Sequence, residues 1–199
     1  MINLRRVIGV TGGIASGKSN VCSVIASLGY PVIDCDKLSR ELSVKGGSVY
    51  NAMVTVLGTD YLLEDGNLDR KKIAKLIFND AKARALVDSA THPVIIDEVK
   101  KRINDIEDGL VFLEAPLLYE VNINYLCDKV ICVFLSKKFQ VARLMERDGI
   151  DEDYALAKIH SQMDLYMKKE LADYVVDSKG TFDETSKQVL GIIEDIKGV

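Results

Sequence analysis

Eight consecutive residues, Gly12-Gly13-Ile14-Ala15-Ser16-Gly17-Lys18-Ser19, follow the order G-x-x-x-x-G-K-S. Glycines let such a loop curl until several backbone N–H groups point at one phosphate, and a helix that opens there turns its positive end to the same place. Lys18 adds a mobile cation for the outer phosphates of a nucleotide, and Ser19 a hydroxyl suited to magnesium. A strand-to-helix turn that is merely glycine-rich is the plainer reading. It fits less well, because the pattern, the apolar run before it and the helical pattern after it agree.

Three further groups could act on a phosphate held there. Asp34-Cys35-Asp36 stands where a short apolar run gives out. A carboxylate at that edge could orient or deprotonate an acceptor hydroxyl and hold magnesium through water. Asp36 is the candidate for this work and Asp34 the weaker one; the alternative is that both cap the next helix. Glu114 ends the run Val111-Phe112-Leu113, where a carboxylate is placed to help organise a metal and its waters, or to act as a helix cap or structural partner. Glu120 is left between a site role and a solvated one. Arg143 and Arg147, four apart, project from one helical face. Two guanidinium groups side by side are favourable when they meet anions, which a transferring phosphoryl group supplies. Glu146 and Asp148 beside them leave open an ordinary salt-bridged surface. The candidate catalytic set is therefore Lys18, Asp36, Arg143 and Arg147, and the candidate metal set Ser19, Asp36 and Glu114.

The elements that must position these groups alternate between strand and helix. From Met1 to Val10 the chain mixes Asn3, Arg5 and Arg6 with a short apolar run that leads straight into the glycines, which reads as a first strand rather than a signal peptide. The pattern predicts strand Val7 to Thr11, helix Gly17 to Leu28 and strand Tyr30 to Asp34, a parallel unit with its crossover helix. From about residue 39 to 101 no strand pattern occurs and a helical region is expected. In it Gly58 ends one helix, Asp69 caps another, and Pro93 begins a third that reaches about Ile106. Strands resume at Leu110 to Leu113 and Lys129 to Leu135. The charged stretch from about 139 to 169 reads as helix, turn, helix around Asp148 and Gly149, without a deep apolar face, as expected of a lid that closes on triphosphate and excludes water. A strand at Tyr174 to Val176 and a helix from Phe182 to Lys197 close the chain.

Composition bounds the function. The 199 residues are 48% hydrophobic and 28% charged, the balance of a folded globular chain with one main domain. The net charge of −4 and the absence of a basic, aromatic-interleaved stretch argue against nucleic acid as partner. No stretch approaches the roughly 18 apolar residues of a membrane span, so a cytoplasmic protein without membrane contact is expected. Cys22, Cys35, Cys127 and Cys132 have no metal-ligand spacing, and the last three are expected to be small buried hydrophobes in a reducing compartment. A monomer is expected, since no long exposed apolar helix calls for a partner.

Taken in order, the motifs resemble the dephospho-CoA kinase family over nearly the whole chain. They are Gly9 to Ser19, Val32 to Asp36, Gly66 to Arg70, Thr91-His92-Pro93, Pro116 to Glu120, Gln140 to Gly149, Gln162, and Ala172 to Asp177. The resemblance implies an α/β P-loop fold: a three-layer sandwich around a five-stranded parallel sheet, with a helical acceptor-side region and a helical lid. It implies transfer of the γ-phosphoryl of ATP to the 3'-hydroxyl of dephospho-CoA with magnesium. By matching motif, Gly12 to Ser19 would hold ATP, Asp36 would be the general base, and Arg143, with Arg147 as companion, would meet the transferring phosphate. Arg70, His92 and Pro93 would lie toward the acceptor, and the Asp177-Ser178 turn toward adenine. The chain departs from the family's usual residues at Asn20 (Thr), Thr91 (Leu), Glu114 (Asp) and Ser178 (Asn), none of which removes a candidate catalytic group. A kinase for another small hydroxylated metabolite and a switch-like nucleotide binder are the alternatives. An acceptor screen separates them.

Overall fold

The computed structural model describes residues 5–198, so Met1 and Asn3 lie outside the described residues. The chain divides into two compact units, one made of 5–33 and 106–198 and the other of 34–105.

The first unit is built on a five-stranded parallel sheet. Its strands are β1 (Arg6–Gly12), β2 (Val32–Asp34), β3 (Leu110–Glu114), β4 (Lys129–Phe134) and β5 (Tyr174–Asp177), in the order β2-β3-β1-β4-β5. β1 lies between β3 and β4, with Val10 opposite Glu114 and Gly12 opposite Val133. The strands are short, nearly continuous apolar runs because helices cover them, which leaves no face for alternating polar residues. Helix α1 (Lys18–Ser27) packs beside the final helix, Phe182–Gly198, and together they bury Ile8, Val10, Phe112, Ile131, Val133 and Val176 against Val21, Ile25, Val189 and Ile193. The opposite face of β4 and β1 receives the helix Leu165–Leu171.

The second unit is helical. It holds α2 (Cys35–Leu42), α3 (Ser48–Leu57), α4 (Arg70–Asn79) and α5 (Ala81–Asn104), with α5 packed on the other three. Three sequence signals act as expected: Gly58 follows α3 with φ 79°, the Asp69 side chain accepts the Lys72 N–H at 2.9 Å, and no strand forms among these helices. Pro93 does not begin a helix. It sits inside α5, which runs unbroken for 24 residues from an Asp80 cap. Proline removes the bond its own N–H would make and crowds the carbonyl four residues before it, while Val87, Thr91, Val99 and Ile103 form one buried stripe at helical spacing on both sides of it. Packing of that stripe outweighs the lost bond and the crowding.

After β4 the chain forms α6 (Lys137–Asp148), α7 (Glu152–His160) and α8 (Leu165–Leu171), and after β5 it ends in α9 (Phe182–Gly198). The α6–α7 turn is at Gly149, as the sequence indicates, but the charged stretch yields three helices rather than two. Cys22 and Cys132 are buried, whereas Cys35 and Cys127 are only partly so, and Cys35 opens a helix. Among the described residues no helix is long and apolar enough to cross a membrane.

The Asp80 carboxylate accepts the N–H groups of Lys82 (2.8 Å) and Ala83 (3.0 Å) at the head of α5. Asp80→Ala should cost about 1 kcal/mol in urea unfolding. An unchanged midpoint would mean the cap contributes nothing.

Candidate active site

β1 ends at Gly12 and α1 begins at Lys18, so the glycine motif is the turn between them. The Ser16 N–H closes on the Gly13 carbonyl at 3.1 Å, and Ala15 (φ 57°) and Gly17 (φ 87°) adopt left-handed conformations. Gly17 offers no side-chain cap to α1. The first N–H groups of the helix are therefore left for an anion, with the helix dipole behind them.

Three distant segments pin this turn. Gln140 on α6 donates to the Ile14 carbonyl at 2.7 Å, and the Gln162 side-chain oxygen accepts the Ile14 N–H at 2.9 Å. Ser178, just after β5, donates to the Ser16 carbonyl at 2.5 Å. Ile14 itself packs on the α6–α7 core of Val141, Leu144 and Ala155. The two glutamines carry no role in the sequence reading beyond marking the resemblance. The only signal that could have singled out Gln140 is its place, one residue before Val141, at the core-facing edge of an amphipathic helix. The α6–α7 pair does have an apolar face, contrary to expectation: Val141, Leu144 and Met145 follow helical spacing, hidden in the sequence by the charges around them.

The register of β3 on β1 brings Glu114 to the loop, where its carboxylate forms a close ion pair with the Lys18 ammonium. Both side chains are nearly buried, at 12% and 10% exposure. The magnesium that such a loop implies can be tested against the donors present. Ser19 offers an exposed hydroxyl and Glu114 a carboxylate, and among the described residues no group of three or more His, Cys, Asp or Glu could hold a metal alone. Magnesium in nucleotide sites takes one or two protein oxygens and fills its shell with phosphate and water, so this sparse set fits.

The two arginines of α6 part company. Arg143 turns to the loop's closing contact and donates to the Ser178 carbonyl at 2.7 Å. Arg147 is more than half exposed and forms an ion pair with Asp148 at 2.7 Å, while Lys158 of α7 reaches the same carboxylate at 2.8 Å. Hydrogen bonds from Arg147 and then Lys158 hold the Asp148 carboxyl well below the usual range. Asp34 caps α2, its carboxylate accepting the Lys37 N–H at 2.9 Å, which is the plainer of the two readings of that residue. Asp36 is exposed in the first turn of α2, in the helical unit. In the same unit Arg70 opens α4 and His92 lies 3.6 Å from Asp88 on α5. Glu120 is not a solvated carboxylate: it pairs at 2.7 Å with Lys168, which is fully buried.

A parallel sheet whose central strand delivers this turn into a helix defines a P-loop nucleotide-binding protein. The family model for dephospho-CoA kinase (CoaE) matches residues 6–184. The dephospho-CoA kinase of Carboxydothermus hydrogenoformans is 37% identical over 194 residues, spanning 96% of this chain and 94% of its own. A crystal structure from Thermus thermophilus aligns with a TM-score of 0.86 at 28% identity over 97% of this chain and 98% of its own, and dephospho-CoA kinase from Campylobacter jejuni with 0.72 at 26% over 98% and 99%. The chain belongs to the dephospho-CoA kinase family.

Two neighbouring glycines separate the turn's demands. A methyl on Gly12 would lie 2.8 Å from the Val133 carbonyl oxygen and 2.6 Å from Ser16 Oγ, whereas one on Gly13 would meet the side-chain amide of Gln140. Backbone of β4 cannot retreat as a glutamine tip can. Gly12→Ala should lower both the melting temperature and nucleotide affinity, and Gly13→Ala affinity with a smaller thermal loss. Equal melting temperatures would contradict this packing.

Proposed function

We propose that the chain carries out its family's reaction, transfer of the γ-phosphoryl of ATP to the 3'-hydroxyl of dephospho-CoA, with Lys18, Asp36 and Arg143 as its catalytic groups. The observation that carries this reading is the pinned loop Gly12 to Ser19, with Lys18 in reach of Glu114, in a chain that matches the family over residues 6–184.

Gly12 to Ser19 take the triphosphate on their amides. Lys18 then exchanges the Glu114 carboxylate for phosphate oxygens, which carry more charge and several acceptors for one ammonium. Arg143 leaves the Ser178 carbonyl for the transferring group, and Arg147 joins it by releasing Asp148. Asp36 orients the ribose hydroxyl and accepts its proton as the oxygen attacks phosphorus. The bond from the γ-phosphorus to the bridging oxygen breaks, and ADP leaves with the electron pair. Ser19 and Glu114, with Asp36 as a further candidate, would hold magnesium together with water, and the ion would supply charge neutralisation on the phosphates. Catalysis of this kind is positioning and charge stabilisation, so each group acts on a barrier rather than through a covalent intermediate.

ADP release should rise strongly when dephospho-CoA is added to enzyme, magnesium and ATP. Release that ignores the acceptor, from protein that binds ATP, would send the assignment to another acceptor or to a protein partner. Lys18→Ala and Arg143→Ala should each lower kcat/KM by about a hundredfold or more with small effects on melting. Asp36→Asn should lower kcat by about a hundredfold or more while ATP affinity stays near wild type. Near-normal turnover in that variant would remove Asp36 as the base.

A further inference from the structure

Lys168 of α8 has no exposed surface, yet it takes no part in the chemistry above. Its ammonium pairs with Glu120 Oε1 at 2.7 Å and donates to the Pro116 carbonyl at 2.5 Å. Each of these partners is shared. The Pro116 carbonyl also accepts the hydroxyl of Thr11 at 3.3 Å, one residue before the glycine loop. Glu120 Oε1 also accepts the N–H of Met163 at 3.0 Å, one residue after Gln162, whose side chain accepts the Ile14 N–H at 2.9 Å. Glu120 Oε2 is buried without a hydrogen-bond partner, so the carboxylate depends on what Oε1 meets.

A buried ion pair is poor evidence for stability, because the cost of removing two charges from water offsets most of their attraction. Its directional bonds are better suited to fixing geometry. Here they converge on two segments, 116–120 and 161–164, that touch the strand and turn holding the phosphate-binding amides. Without the ammonium, Glu120 would keep the Met163 N–H but lose its counter-charge, and the carboxylate that anchors the segment carrying Gln162 would no longer be fixed in place.

We propose that Lys168 is a positioning residue for nucleotide binding, acting through Glu120 and the 161–164 segment to keep Gln162 on the Ile14 N–H and so hold the loop in its phosphate-binding form. The inference rests on reading Gly12 to Ser19 as the ATP site but is independent of the acceptor.

The test is calorimetric titration of a non-hydrolysable ATP analogue with magnesium into the full chain, as wild type, Lys168→Met, Gln162→Ala and the double variant. Each single change should weaken binding by roughly three- to tenfold, and the double variant should bind about as the weaker single does, since both changes break one line of contact. Should Lys168→Met not fold, Lys168→Met with Glu120→Gln, which leaves neither charge alone, replaces it in the cycle. Lys168→Arg should recover part of the affinity. A variant with a lower melting temperature but wild-type affinity would make Lys168 merely structural and overturn the proposal, as would losses that multiply in the double variant. Because no acceptor is present, failure here is distinct from failure of the functional reading, which shows as wild-type protein that binds nucleotide without acceptor-stimulated ADP release.

Discussion

The structure depends on keeping one short turn, Gly12 to Ser19, in a shape that backbone torsions alone would not hold. Amides that converge on an anion repel one another when the anion is absent, and a left-handed alanine is uncommon. Three side chains from segments more than a hundred residues away in sequence, Gln140, Gln162 and Ser178, hold the turn through the Ile14 and Ser16 backbone. The central place of β1 in the sheet makes this possible. It sets Glu114 on one side and Val133 on the other, and brings α6, α8 and the turn after β5 within reach of a single loop.

The same arrangement settles the charges. Lys18 is nearly buried and finds Glu114; Arg143 finds the carbonyl of Ser178, the residue that also fixes Ser16. Each cation rests on an acceptor that a phosphate can replace, so binding exchanges partners instead of creating a charge in a dry site. Arg147 and Lys158 share the Asp148 carboxylate, a contact that ties α6 to α7 and that Arg147 gives up to reach phosphate. Two arginines on one helical face thus have unlike partners, though their spacing treats them alike.

Much of this was legible in the sequence because the governing signals are local. The G-x-x-x-x-G-K-S order, the apolar strands, the Asp69 cap and the Gly149 turn each depend on a few adjacent residues. What was not legible depends on partners remote in sequence. Pro93 reads as a helix start until the stripe from Val87 to Ile103 is seen packed in the helical unit. The helix Leu165–Leu171 is short and charged, and gains its place from the sheet face above it, where Lys168 is buried against Glu120. Nothing in the spacing of Gln140 or Gln162 announces that both meet Ile14. Glu120 stays between a site role and a solvated one in the sequence because its partner lies far along the chain.

The central claim is that a phosphoryl group held on this loop passes to a ribose hydroxyl and not to water. The most direct measurement is phosphorus NMR of the mixture after enzyme, magnesium, ATP and dephospho-CoA have reacted. Loss of the γ signal matched by a new phosphomonoester on the 3'-oxygen of the acceptor is the predicted result. A γ signal that reappears only as inorganic phosphate, or as an ester on another hydroxyl, would contradict the account.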